Sequence, residues 1–103
     1  MKNYRVQITD EALRDMEQIY NYIANDLYAP EAAMNQYNRI ADAILSLSQM
    51  PRRIKLLDSK SDKLRKLRRM NVDNYSVFFI IQKDAVIITD VLYGASDIEE
   101  RLR

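Results

Sequence analysis

Two stretches near the end of the chain, YSVFFIIQ at 75–82 and AVIITDVLY at 85–93, are separated only by Lys83 and Asp84. Runs this rich in β-branched and aromatic residues favour strands. A two-residue connection leaves only a tight hairpin. Both runs are apolar at odd and at even positions, and strand side chains alternate between faces. Tyr75, Val77, Phe79 and Ile81 therefore project one way, and Phe78 and Ile80 the other. In the second run Ile87 and Val91 oppose Val86, Ile88 and Leu92. Any sheet built on this hairpin must find cover for two apolar faces.

Upstream, YRVQI at 4–8 alternates and predicts a short strand. Thr9 is placed to cap a helix, and Asp10 and Glu11 suit its first turn. Leu13, Met16, Ile19, Tyr20, Ile23 and Leu27 then recur at helical spacing, predicting a helix over about 10–26. Pro30 opens a second helix, whose stripe of Ala33, Tyr37, Ile40, Ala41, Ile44 and Leu47 ends near Gln49. A short link between helices of similar length predicts an antiparallel hairpin. Tyr20 and Tyr37 fall on its apolar stripes. Residues 51–62 read as irregular, and a third strand is expected over about 63–72, ahead of the hairpin. The expected order is β–α–α–β–β–β: one α+β domain over 1–103, with the helix hairpin on one face of a small, mainly antiparallel sheet. Two helices cover one face only. Phe78, Ile80, Ile88 and Leu92 are then expected on an uncovered surface, the kind that receives a partner. The alternative is that the tail or the 51–62 segment folds over it.

Charge is segregated although the formal net charge is only +1. Residues 1–50 hold four basic and seven acidic groups, 51–75 nine and three, and 76–103 three and five. The middle segment contains KLRKLRRM at 63–70 and makes a local positive field. Arg52, Arg53, Lys55, Arg65, Lys66, Arg68 and Arg69 are its candidates for meeting an anionic target. Arg69 is expected on the open face beside Tyr75, and Arg68 toward a helix carboxylate such as Glu17. The basic residues sit on a strand, with no recognition helix, which disfavours sequence-specific DNA reading by this chain alone. With no His and no Cys, a metal site is not expected, nor is a cofactor. The opening MKNYRVQITD lacks the apolar core of a secretory signal, and no run is long enough to span a membrane, so a cytoplasmic location is expected.

The helix opening ITDEALRDMEQIYNYIA, the runs RMNVDNYSVFFII and VIITDVLYGASD, and the Arg69–Met70–x–Val72–x–x–Tyr75 spacing resemble the RelE/ParE superfamily. These are toxins of type II toxin–antitoxin modules, also called plasmid stabilisation proteins. The resemblance covers nearly the whole chain and is closer to the ParE branch. It implies a cognate antitoxin whose C-terminal segment wraps the toxin, giving a hetero-oligomer. An acidic, amphipathic segment suits an apolar face beside a basic strip.

The resemblance also implies two mechanisms. One is poisoning of DNA gyrase by binding; the other is ribosome-dependent cleavage of mRNA. Cleavage needs a base, an acid and cations for the phosphorane charge. RelE-like enzymes carry an arginine after the tyrosine of the third strand, where this chain has Ser76. They carry another basic residue just after the last strand, where it has Gly94, Ala95 and Ser96. What remains for a nuclease is Arg69, Tyr75 and Tyr93, and a tyrosine is a poor base unless arginines lower its pKa. Those departures favour gyrase inhibition over the endoribonuclease. An inactive module or a basic nucleic-acid-binding domain is the further alternative.

Overall fold

The computed structural model describes residues 3–58, 61, 64, 66–94 and 98–101. Four strands, β1 (Arg5–Ile8), β2 (Arg68–Val72), β3 (Tyr75–Gln82) and β4 (Ala85–Tyr93), form one sheet in the order β1-β4-β3-β2. β1 runs parallel to β4, and the other pairs are antiparallel. Between β1 and β2 come α1 (Asp10–Asn21) and α2 (Pro30–Ser46), and a short α3 (Ile98–Arg101) follows β4. This is the expected α+β fold.

Local chemistry sets the element ends. The Thr9 hydroxyl accepts from Ala12 N–H at 3.1 Å and donates to the Ile88 carbonyl at 2.9 Å, so the cap also ties α1 to the sheet. Beyond Asn21 the helix widens into a π turn over Tyr22–Asp26. Tyr28 adopts a positive φ of 52° that reverses the chain before Pro30. α2 stops at Ser46 rather than near Gln49. Its last turns tighten, with Ser48 N–H bonding Leu45 and Gln49 N–H bonding Ser46. The β2–β3 turn is held from outside: Asp73, at φ 55°, accepts from Arg39 at 2.7 and 2.8 Å and from Gln36 at 3.0 Å.

The helix hairpin packs on one face of the sheet. Met16, Ile40, Ile44 and Leu47 meet Val77, Phe79, Val86, Ile88 and Val91, all essentially inaccessible. Full burial of such a side chain contributes about 1.5–3 kcal/mol. Tyr20 and Tyr37 pack edge to face across the hairpin, with centroids 6.3 Å apart.

The opposite face corrects two expectations. Phe78 and Leu92 are not uncovered, and Ile80 is half-buried beside them. Leu57, Leu64, Leu67 and Ile98 close over them as a second core, in which Phe78 is wholly buried. Accordingly, the basic strand starts at Arg68 and not near 63. Leu64 and Leu67 turn inward because the second face offers the apolar cover they need. The second correction concerns β4. Phe78 pairs with Asp90 but Phe79 with Ile88, so Thr89 is an extra residue in a β-bulge. The bulge reverses the alternation. Ile88 therefore belongs to the helix-side core beside Val91, and Leu92 alone of the expected β4 pair lies on the second face.

Candidate functional site

The basic segment separates into distinct roles. Arg52, Lys66 and Arg68 converge on a cleft of 420 Å³ whose apolar wall is Leu56, Ile80 and Ile81. Two features place them. The 3₁₀ turn Pro51–Arg53 presents Arg52, and Leu56 bridges to Arg68 at the outer edge of β2. Arg68 does not reach Glu17. Its guanidinium donates to the Ile54 carbonyl, whereas α1, which carries Glu17, packs over β4, two strands away from β2. Burial, and then the charge of Arg52, lower its pKa from the ordinary arginine value. Among the described residues, no carboxylate pairs with Arg52, Lys66 or Arg68. Like charges held together, with no carboxylate of the described residues paired to them, attract an anionic group from outside.

The other basic candidates lie elsewhere. Arg53 braces the turn that follows α2, donating to the Gln49 carbonyl at 2.6 Å, the Met50 carbonyl at 2.9 Å and Ser46 Oγ at 3.3 Å. Lys55 is exposed outside the cleft lining. Arg69 is exposed but not beside Tyr75. It pairs with Phe78, whereas Tyr75 pairs with Val72, so the two side chains leave opposite faces of the sheet. Arg65 and Ala95 lie outside the described residues. Ser76, in the place of the expected arginine, is buried and donates to Asn71 Oδ1 at 3.2 Å.

Tyr75 and Tyr93 do come together. They are cross-strand partners with ring centroids 5.6 Å apart, edge to face. With Tyr22 from the π turn they border a second cleft of 670 Å³, between the helix hairpin and the end of β3–β4. Burial, then Tyr93 and Tyr22, push the Tyr75 hydroxyl above its ordinary value. That is the wrong direction for a general base. Among the described residues no arginine acts on it, because the basic cleft is elsewhere on the sheet.

Two features escaped sequence reasoning. Tyr22, at the end of α1 one turn past Ile19, joins the tyrosine cleft because the hairpin packs beside the Tyr75–Tyr93 pair. Asp15, Asp90, Glu11 and Arg101 form a network that fastens α3 to α1 and β4. An acid inside the otherwise apolar AVIITDVLY run was the available signal for the second.

The model of a known family, the ParE toxin of type II toxin–antitoxin systems (parDE), matches residues 6–98. Several solved structures share the fold. One, from the chromosomal ParDE toxin–antitoxin system of P. aeruginosa, has a TM-score of 0.75 and 18% identity. It covers 89% of this chain and 97% of that one. A second, from the RelBE2 toxin–antitoxin complex of Mycobacterium tuberculosis, has a TM-score of 0.63 and 22% identity, with coverage of 93% and 97%. The conserved hypothetical protein HP0894 of Helicobacter pylori has a TM-score of 0.52 and 11% identity, covering 87% and 93%. No curated protein matches the chain.

Proposed function

The chain belongs to the ParE family of type II toxin–antitoxin toxins, and on that premise we propose that it arrests growth by binding DNA gyrase, not by cleaving RNA. The observation that carries this reading is the separation of the nuclease candidates. Arg69 and Tyr75 leave opposite faces of the sheet, and burial raises the Tyr75 pKa. Arg69 and Tyr75 therefore do not form an acid–base pair. An inhibitor that acts by docking needs none, only a shaped and charged surface. The cleft of Arg52, Lys66 and Arg68 supplies one.

A cognate antitoxin neutralises the toxin in this reading. The same cleft suits an acidic antitoxin segment, with its cations facing carboxylates and Leu56, Ile80 and Ile81 facing apolar side chains. Because Phe78 and Leu92 are closed off, the antitoxin meets this edge of the sheet and not an open second face.

Pulse-labelling of DNA and protein synthesis minutes after induction tests the target. The expected result is early loss of DNA synthesis, with purified gyrase inhibited by the purified chain. Early loss of protein synthesis, with gyrase unaffected, overturns it in favour of ribosome-dependent cleavage. Replacing Arg52 and Lys66 together by Ala is expected to abolish growth arrest while the folded protein still accumulates.

A further inference from the structure

The tyrosine cleft has the opposite character to the basic one. Tyr22 and Tyr93 are 53% and 67% exposed, so aromatic faces remain in solvent. The polar lining residues Gln18, Gln36 and Asn74 are all uncharged carboxamides. Gln36 donates its amide nitrogen to Asp73 at 3.0 Å, which leaves its Oε1 as an acceptor for another group. The backbone at this end of the hairpin is irregular: a π turn carries Tyr22, and Tyr28 holds a positive φ that bulky residues seldom adopt. Such irregularities collect at functional sites.

We propose that this cleft receives an arginine side chain from a basic segment of a protein partner, its guanidinium lying against the faces of Tyr22, Tyr75 and Tyr93 and donating to the carboxamide oxygens.

Charge complementarity selects that occupant. Residues 10–46, which form the hairpin, hold seven acidic groups against Arg14 and Arg39, and of the seven Glu11 and Asp15 are paired with Arg101. Arg39 is committed to Asp73 by two hydrogen bonds. A cation is drawn to this acidic hairpin, and the phosphates of a nucleic acid are repelled by it. Aromatic faces bind guanidinium through their quadrupole, and amide oxygens satisfy its N–H fork. A basic segment on the tyrosine cleft and an acidic one on the Arg52–Lys66–Arg68 cleft engage opposite poles of one molecule, so the inference does not rest on the identity of the toxin's target.

The test uses the full chain with ring-labelled tyrosine, observed by NMR. The probe is an acetylated, amidated Gly-Arg-Gly peptide, with Gly-Glu-Gly and adenosine as competitors. Saturable shifts of the Tyr22, Tyr75 and Tyr93 rings are expected, with the arginine peptide binding at least about tenfold more tightly than the glutamate peptide. Tyr22→Ala should weaken binding roughly 2- to 30-fold, whereas Tyr22→Phe, which keeps the π face, should change it little. Tyr93→Leu gives a second variant at an exposed position should Tyr22→Ala disturb the fold. Unmoved rings, equal binding of the glutamate peptide, or tighter binding of adenosine each overturn the proposal.

Discussion

Asp15 is 5% exposed, yet it lies on the side of α1 that packs on the sheet. It accepts from Val91 N–H at 2.9 Å and from Arg101 at 2.8 Å. A buried carboxylate is tolerated only when paired in this way. Asp15→Ala orphans the Val91 amide and should cost about 1–3 kcal/mol, read as a lower urea midpoint. Asp90 behaves differently. Burial pushes its pKa up, and Glu11 and Asp15 add to the shift, while the Thr89 hydrogen bond and Arg101 oppose it. The folded state therefore holds this proton more tightly than the unfolded one. Asp90's contribution to stability is greatest below the ordinary carboxylate pKa of about 4, and it declines as pH rises through the raised folded value. Asp90→Asn should remove that decline without loss of stability at neutral pH. Urea midpoints collected from about pH 4 to pH 7 check the sign. A wild-type midpoint that instead rises over this range in an Asp90-dependent way contradicts the account.

At the scale of elements, Leu57, Leu64 and Leu67 with Ile98 of α3 serve as the second layer over the sheet. Phe78 is the centre of what they cover. Phe78→Ala should cost about 3–5 kcal/mol, the penalty of a core cavity. A surface role for Phe78 predicts almost no change in the unfolding midpoint, so one denaturation series separates the two. Arg53 and Arg52 are adjacent but belong to different elements in function. Arg53→Ala removes the hydrogen bonds that brace the turn after α2 and should lower stability by about 0.5–1.5 kcal/mol with growth arrest retained. Arg52→Ala should leave the midpoint unchanged and weaken arrest. If both substitutions act alike on toxicity, the division of the basic segment into a turn brace and a cleft is wrong.

Across the whole molecule, an acidic hairpin and a basic sheet edge coexist under a net charge of +1. Association with an acidic segment should accordingly be steered. Its on-rate is expected to fall about tenfold or more between low and high salt, while the off-rate changes less. Stopped-flow binding to an antitoxin peptide checks this. A salt-independent on-rate argues that the basic cleft plays no part in encounter. Among the described residues, no helix is long and apolar enough to cross a membrane.

The order of strands and helices, the Thr9 cap, the Tyr20–Tyr37 packing and the β3–β4 hairpin were legible in the sequence. Each depends on neighbours in the chain or on a period of two or 3.6 residues. The clustering of positive charge in 51–75 was legible for the same reason. Tertiary structure decided the rest. A single bulged residue, Thr89, reversed the alternation of β4 and moved Ile88 to the other core, and periodicity carries no mark of such an insertion. Whether the second face was open or covered depended on where Leu64, Leu67 and Ile98 came to lie. That is set by the gain from burying them, not by their local pattern. Proximity decided the sites too. Arg52 and Arg68 share a cleft only because a loop folds back along β2, and Arg69, next in sequence to Arg68, is sent to the opposite face by the pleat.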